Sequence, residues 1–350
     1  MSASPFRLPA EWQPQAAIVV AWPHEDTDWA SRLAEVESSY AALIRAITRF
    51  EPVIICVASA ALQRRVERLL ATAGIDSMRL RFVETAYDDT WLRDSGPITL
   101  TDGARFRICD FRFSGWGGKF DARRDDRLVA ALIEHGLFPD AQHQRVDWTL
   151  EGGAIESDGA GTLLTTWRCL HQRHPDQSRE ALTQRLEQSL GADRVLWLDH
   201  GYLEGDDTDA HIDTLARFAP DDTIVFQACE DTQDSHYGEL AAMCDELAGL
   251  RTQHERPYRL RALPWPNPII DNKRRLAASY ANYLILNGGV LVPAYGDAAD
   301  VAAQRVIASA YPGREIMPVP CRPLIWQNGS LHCLTMQIPA GALAPSKSDT

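Results

Sequence analysis

Several features are missing from this 350-residue chain. No apolar run approaches the ~20 residues that cross a bilayer as a helix, so a membrane-spanning protein is not expected. The opening stretch, MSASPFRLPAEW, lacks a basic segment followed by an apolar one, which argues against a secretory signal. No CxxC occurs among the seven cysteines, at 56, 109, 169, 229, 244, 321 and 333, and their number is odd. A cytoplasmic protein with reduced thiols is therefore expected, in which a single cysteine can act as a nucleophile. Positive charge is scarce: 35 Lys and Arg stand against 48 Asp and Glu, a net charge of −13. Such a surface repels phosphate backbones, which excludes general nucleic-acid binding, and it draws in small cations.

What is present describes a globular protein. Hydrophobic residues make up 45% and charged residues 24%, ample material for a core. AAIVVAW (16–22), PVIICVA (52–58), RLRFVET (79–85), DTIVFQAC (222–229) and NYLILNG (282–288) read as strands. Helical periodicity lies at 30–49, 61–73, 124–137, 178–190, 235–250 and 298–310; in the first, Leu33, Val36, Tyr40, Leu43 and Ile44 recur on one face. The alternation makes the class α/β. No Pro/Ser/Gly-rich linker divides the chain, so one domain is expected over 1–345, with a disordered tail at 346–350. No repeat of fixed period is visible. Glycine pairs at 117–118, 152–153 and 288–289 mark either ordinary turns or close backbone approach.

The densest chemistry is GDDTDAHID at 205–213, four aspartates and a histidine in nine positions. So much negative charge needs a cation, either a metal or a positively charged substrate. An EF-hand needs Gly at its sixth position and Glu at its twelfth, but counting from Asp207 these are Ile212 and Phe218. No second His or Cys stands at zinc-ligand spacing from His211, and there is no HExxH. A solvated turn whose aspartates satisfy their own backbone competes with a functional loop. Read as strand, turn, strand, HIDTLARFAPDDTIVF puts His211 and Asp213 on one face, where imidazole and carboxylate can share acid–base work.

Three other stretches carry candidates. In DDTWLRDSGP (88–97), either Arg93 and Asp94 form an ion pair, or Asp94 and the face of Trp91 receive a planar cation. In LEGGAIESDG (150–159), Glu151 precedes two glycines that allow close packing around it. In NGSLHCLTMQ (328–337), Cys333 follows His332 on an expected strand, so the two point to opposite faces. His332 is thus read as structural and not as the base for the thiol. A lone cysteine is more often a small buried hydrophobe than a nucleophile.

Taken in order, PAEWQPQAAIVVAWP (9–23), TWLRDSGP (90–97), EGG (151–153), GDDTDAHID (205–213), NGGVLVPAYGD (287–297) and SLHCLTMQ (330–337) resemble the motifs of the agmatine deiminase family, relatives of the bacterial peptidylarginine deiminases. The resemblance spans nearly the whole chain. It implies the pentein fold, an α/β propeller of five units around a pseudo-fivefold axis. It implies that the cation is a guanidinium, hydrolysed to a ureido product and ammonia through an amidino-cysteine. By motif, Cys333 is the nucleophile, His211 the acid–base residue and Glu151 its orienting partner. Asp94 and Asp213 bind the guanidinium, while Trp91 and Asp207 line the substrate site. No metal or organic cofactor is implied, and the expected assembly is a homodimer.

Some positions depart from the family pattern. Gln327-Asn328-Gly329-Ser330 stands where consecutive glycines before Asn are more usual, Met336 replaces a second Gln, and FSGWGGKF (113–120) differs from FNAWGG. None removes a catalytic residue, but they leave the tail of the substrate open. The acidic balance favours agmatine, whose tail is an amine. A free arginine would need a cation for its carboxylate, for which Arg112 and Lys119 are candidates. The alternatives are an arginine or peptidylarginine deiminase, a non-catalytic binder of guanidino compounds or polyamines, and a metal-dependent hydrolase built on 205–213. Asp125, on the expected helix at 124–137, reads as an exposed charge.

Overall fold

Each of the five stretches read as strands pairs in the structure, a computed structural model that describes residues 6–344. They form Gln15–Ala21, Val53–Val57, Leu80–Glu84, Thr223–Gln227 and the two-residue Leu284–Ile285. The last is shorter than expected because the backbone before it serves other partners: the Ala281 and Tyr283 carbonyls both accept from Arg217. The six expected helices are present with ends shifted by a few residues. Leu33–Ile47 buries Val36, Tyr40, Leu43, Ile44 and Ile47, the stripe its periodicity calls for. Ser59 and Ser178 cap the N-termini of Ala60–Thr72 and Arg179–Leu190 by accepting from backbone N–H groups. The tail expected at 346–350 lies outside the described residues.

Strand pairing follows one scheme five times. A first strand runs antiparallel to a second, and the second runs parallel to a third. The triplets are Thr335–Pro339, Gln15–Ala21 and Val53–Val57; Ile98–Thr101, Phe106–Arg112 and Gln142–Thr149; Ile155–Ser157, Thr162–Thr166 and Arg194–Leu198; Ala216–Ala219, Thr223–Gln227 and Arg259–Leu263; and Leu284–Ile285, Gly289–Ala294 and Glu315–Pro320. A parallel pair needs a crossover, and every one here carries helix, as in Leu128–Glu134 or Asp300–Ala310. The first sheet gains a fourth strand, Leu80–Glu84, through Ala60–Thr72. The structure thus contains a repeat that the sequence hides, because the connections differ in length and each sheet packs against different neighbours.

This scheme fixes where chemistry sits. Asp94, Glu151, Asp213, Asn282 and Cys333 each fall just ahead of the first strand of a different sheet, the strands that begin at Ile98, Ile155, Ala216, Leu284 and Thr335. The glycine pairs belong to the same architecture. A Cβ on Gly288 or Gly289 would meet the Phe50 ring at 2.7 Å, and one on Gly152 would meet the Arg93 carbonyl at 2.2 Å. Gly117 and Gly118 mark a left-handed turn instead, with φ of 83° and 85°.

Asp125 corrects the reading of the sequence. It is 5% exposed, and its carboxylate accepts the backbone N–H of Asp88 at 2.7 Å and of Asp89 at 3.3 Å. Periodicity identifies the core face of Leu128–Glu134 but does not reveal that 88–90 folds over the turn preceding it. Burial pushes Asp125 up to about 7. A carboxyl whose folded value exceeds its unfolded value of about 3.9 weakens the fold as pH rises between the two. Asp125→Asn removes that titration and keeps an acceptor oxygen. Its melting temperature relative to wild type is expected to climb as pH goes from about 4 to about 8; a gap that does not move with pH would mean Asp125 ionises like a surface carboxylate.

Candidate active site

Cys333 lies in a turn at 331–334, and the strand expected there begins only at Thr335. The turn is held from outside: the Arg93 backbone N–H donates to the Cys333 carbonyl at 3.1 Å, and Arg93 Nε donates to the His332 carbonyl at 3.3 Å. Arg93 pairs with Glu11 at 2.9 Å, not with Asp94. Asn282 completes the cradle. Its Nδ2 donates to Cys333 Sγ and to Asp213 Oδ2, both at 3.1 Å, while its Oδ1 accepts from the His332 and Cys333 backbone at 3.0 and 3.3 Å. The sulfur is 3.5 Å from Asp213 Oδ2 and lines a cavity of about 260 Å³.

His211 is fully buried behind this cavity wall. It precedes a short 3₁₀ turn, Ile212–Thr214, so the strand expected at 211 starts only at Ala216. Its ring sits between two carboxylates, with Nε2 3.3 Å from Glu151 Oε2 and Nδ1 3.6 Å from Asp94 Oδ1. Glu151 is fixed by Arg173, whose Nε donates to both carboxylate oxygens at 2.8 and 3.0 Å. Asp94 accepts from the Trp116 indole at 2.8 Å and from the Gly153 backbone N–H at 2.9 Å. The Trp116 contact depends on a left-handed turn: Trp116 itself has φ of 56°, between Gly115 at 64° and Gly117 at 83°.

Gly153 marks the point where these groups converge. A Cβ there would stand 2.6 Å from His211 Nδ1, 2.7 Å from Asp94 Oδ1 and 3.2 Å from Asp213 Oδ2. Two buried polar atoms of these residues, His211 Nδ1 and the other Asp213 oxygen, Oδ1, have no hydrogen-bond partner among the described residues. Buried polar groups left this way cost stability, ~1–3 kcal/mol each. They are the kind of atom a bound polar ligand satisfies.

His332 is structural in a more specific sense than the sequence suggested. Its Nδ1 lies 2.8 Å from Asp213 Oδ2, and its Nε2 faces Glu11 at 2.8 Å and Arg217 at 2.9 Å. Arg217 is fully buried and also binds Glu156. His332 therefore positions Asp213 and does not meet the thiol as a base.

The acidic loop divides its labour. Asp206 serves its own backbone, accepting from Thr208 N–H at 2.9 Å and Ala210 N–H at 2.8 Å. Asp209 pairs with Arg173 at 2.6 Å and Lys119 at 2.7 Å. Asp207 lines the cavity, as do Trp91, Asp94, Asp28, Asp89, Trp116, Asn328 and Arg274. Neither cation proposed for a substrate carboxylate lies there. Arg112 is exposed and pairs with Asp147, and Lys119 is bound to the loop through the Asp207 carbonyl and Asp209.

Burial and neighbours set the charges. Burial pushes Asp94 up to about 6, and the nearby Asp213 and Glu151 carboxylates add to it. Burial opposes charge on His211, yet Asp94 and its other neighbours outweigh it, so the imidazole titrates well above its ordinary range. Glu151 is held low against its own burial by His211 and Arg173. Burial, Asp213 and Asp94 together push the Cys333 thiol well above the usual range. Among the described residues, two groups bring metal-ligating atoms together, Glu151 with Cys169 and His211, and Glu11 with Glu156 and His332. Arg173 occupies the first and Arg217 the second, so a guanidinium already holds the oxygens a metal would need.

The residues expected from sequence, Cys333, His211, Glu151, Asp94, Asp213, Trp91 and Asp207, thus gather around one cavity and its wall. Sequence reasoning missed Asn282, Arg173, Trp116 and the role of His332. Only Trp116 had a signal, in the glycine-flanked stretch 113–120.

The Porphyromonas-type peptidyl-arginine deiminase family model matches residues 7–339. An agmatine deiminase of Stutzerimonas stutzeri is 33% identical over 96% of each chain. Among solved structures, a Porphyromonas gingivalis protein provisionally named an arginine deiminase is 44% identical, with a TM-score of 0.90 over 97% of this chain and 100% of the other. A substrate-bound agmatine deiminase of C. jejuni is 32% identical, with a TM-score of 0.88 over 95% and 96% of the two chains.

A methyl group on Gly153 must push His211 and Asp94 out of the positions in which they could share one ligand. Gly153→Ala is expected to weaken calorimetric binding of a guanidinium compound by about 100-fold or more, with the far-UV circular dichroism unchanged. Binding within a few-fold of wild type would mean that these polar atoms face separate partners.

Proposed function

The chain belongs to the agmatine deiminases of the Porphyromonas-type peptidyl-arginine deiminase family, and from that membership we infer that it hydrolyses the guanidinium of agmatine to N-carbamoylputrescine and ammonia. One observation carries the reading: His211 Nδ1, Asp94 Oδ1 and Asp213 Oδ2 converge at Gly153, and the cavity-lining thiol of Cys333 lies 3.5 Å from that same Asp213 oxygen. An oxygen of each aspartate accepts guanidinium N–H groups, which fixes the plane of the cation. Cys333 is the nucleophile, His211 the acid–base residue, and Glu151 orients His211. Trp91 lines the cavity, and Asp207 receives the ammonium at the far end of the substrate.

Charge couples binding to reactivity. The same carboxylates that keep the Cys333 proton in place are neutralised when a guanidinium arrives, so substrate itself favours the thiolate. The thiol proton leaves toward Asp213, the nearest oxygen. The thiolate attacks the guanidinium carbon, His211 protonates one nitrogen, and ammonia departs as the C–N bond breaks. An amidino-cysteine remains. Water, deprotonated by His211, adds to its carbon and expels the sulfur, leaving the ureido product. Holding reactants in register in this way can supply ~7–11 kcal/mol of the barrier in favourable cases.

The same reading covers the architecture and setting. The five equivalent sheets are taken as blades around a pseudo-fivefold axis, within one catalytic domain over 1–345 and a homodimer. The seven free cysteines suit a reducing cytoplasm. A second reading, hydrolysis of arginine, is favoured by Arg274 at the cavity wall, where a carboxylate would find a cation. Four lining aspartates, Asp28, Asp89, Asp94 and Asp207, weigh the cavity toward an amine tail.

Ammonia and ureido product measured with agmatine, arginine and an arginyl peptide side by side are expected to show a strong preference for agmatine, and acid-quenched protein an adduct lost in Cys333→Ala. A preference for arginine would replace the substrate; an adduct surviving in Cys333→Ala would replace the nucleophile. In the substrate-free protein, iodoacetamide alkylation of the Cys333 peptide is expected to keep accelerating with pH beyond the ordinary thiol value of about 8.5. A plateau below that value would show a thiolate already formed at rest.

A further inference from the structure

The far wall of the cavity contains an unusual triad. Arg274, Asn328 and Asp207 all line it. Asn328 Nδ2 donates to Asp207 Oδ2 at 2.9 Å, and Asn328 Oδ1 accepts from Arg274 at 2.6 Å. A second terminal nitrogen of Arg274 donates to the Trp326 carbonyl. Among the described ion pairs Arg274 has no carboxylate partner, although Asp207 lies one side chain away. Resting on the reading that Asp207 receives the distal ammonium, we propose that Asn328 is a specificity-determining residue that keeps Asp207 available as an anion by standing between it and Arg274.

The physical reason lies in what an amide can do. It offers an acceptor oxygen on one side and a donor NH₂ on the other, so it satisfies a guanidinium and a carboxylate at once without letting them touch. Direct contact would form a bidentate Arg–Asp pair and cancel the charge the substrate needs. Other groups near Asp207 do not do this. Asp206 repels it, and Lys119, whose charge favours the Asp207 anion, reaches the Asp207 backbone carbonyl and Asp209 instead of the Asp207 carboxylate.

The surrounding backbone is built to hold the spacer. Asn328 has φ of 71°, a left-handed conformation that Asn tolerates better than most residues. The next residue has to be glycine, since a Cβ on Gly329 would stand 2.1 Å from the Trp91 ring. Arg274 is delivered by a hairpin of Ile270–Asp271 with Arg274–Arg275, turned through Asn272 and Lys273 at φ of 48° and 66°. Its other side is tied down as well: Asp271 pairs with Arg32 at 2.8 Å, and Arg32 stacks 3.6 Å from the Trp326 ring. Arg274 is therefore poised over the wall, held by the Asn328 amide and the Trp326 carbonyl.

Steady-state kinetics with agmatine and with 1-butylguanidine, which ends in a methyl group, test this. Asn328→Gly removes the amide and suits the left-handed backbone. It is expected to raise KM for agmatine about 10-fold or more, the scale of a charge-assisted hydrogen bond, with kcat and the butylguanidine KM nearly unchanged. Adding Arg274→Gln to that variant is expected to recover most of the agmatine affinity. Equal losses for both substrates, or no recovery in the double variant, would overturn the spacer. Asp207→Asn tests the underlying reading separately: if it leaves the agmatine KM unchanged, Asp207 does not meet the ammonium and the proposal falls with it.

Discussion

The site depends on two buried aspartates, Asp94 and Asp213, that no guanidinium pairs with among the described residues. Three buried or half-buried guanidinium groups lie close by, but each is claimed by a glutamate: Arg93 by Glu11, Arg173 by Glu151, and Arg217 by Glu11 and Glu156. Asp94 and Asp213 instead face imidazoles, amides and an indole. Amides and an indole hold an oxygen in place without cancelling its charge, whereas a guanidinium would neutralise it; of the two aspartates, Asp94 also faces the high-titrating His211 imidazole. The glutamates thus take up the guanidinium groups and leave the two aspartates to other partners. Burial, only partly offset by His211, explains why Asp94 is pushed up to about 6, and burial with Asp213 and Asp94 pushes the Cys333 thiol well above its usual range. Those shifts are relieved when positive charge enters.

The five-sheet scheme supplies the rigidity this needs. Side chains that arrive from five separate segments, each anchored by the first strand of a sheet, cannot drift independently. Asn282 illustrates the gain: one amide from the segment before Leu284 contacts the sulfur, Asp213 and two backbone N–H groups of the turn carrying Cys333. Gly153 supplies the complement, a close approach of backbone to His211, Asp94 and Asp213 that a side chain would block. Small displacements in such a constellation carry large kinetic costs.

The acidic loop at 205–213 shows how one short segment holds several tasks apart. Asp206 shapes the turn, Asp209 receives Arg173 and Lys119, Asp207 faces the cavity and Asp213 faces the sulfur. Two of its residues, Asp209 and Ala210, lie at positive φ of 65° and 71°. The loop is thus a folded device whose charges are individually directed, and the question of which cation it serves has different answers along its length.

The sequence by itself determined the α/β class and the helices and strands with clear periodicity, because burial patterns are local and survive in one dimension. It also named the residues that gather at the cavity. It did not reveal that His211 and Cys333 sit in turns and not on strands, that Asp125 is covered by 88–90, or that Arg93 belongs to Glu11. Nor did it show Asn282, Arg173 or the Asn328 spacer. Each of these depends on contacts between segments far apart in the chain, and hydrogen-bond partners across such distances leave no periodic trace. Which charges stay free and which are neutralised was decided only when the sheets came together, because electrostatics acts through space and not along the chain.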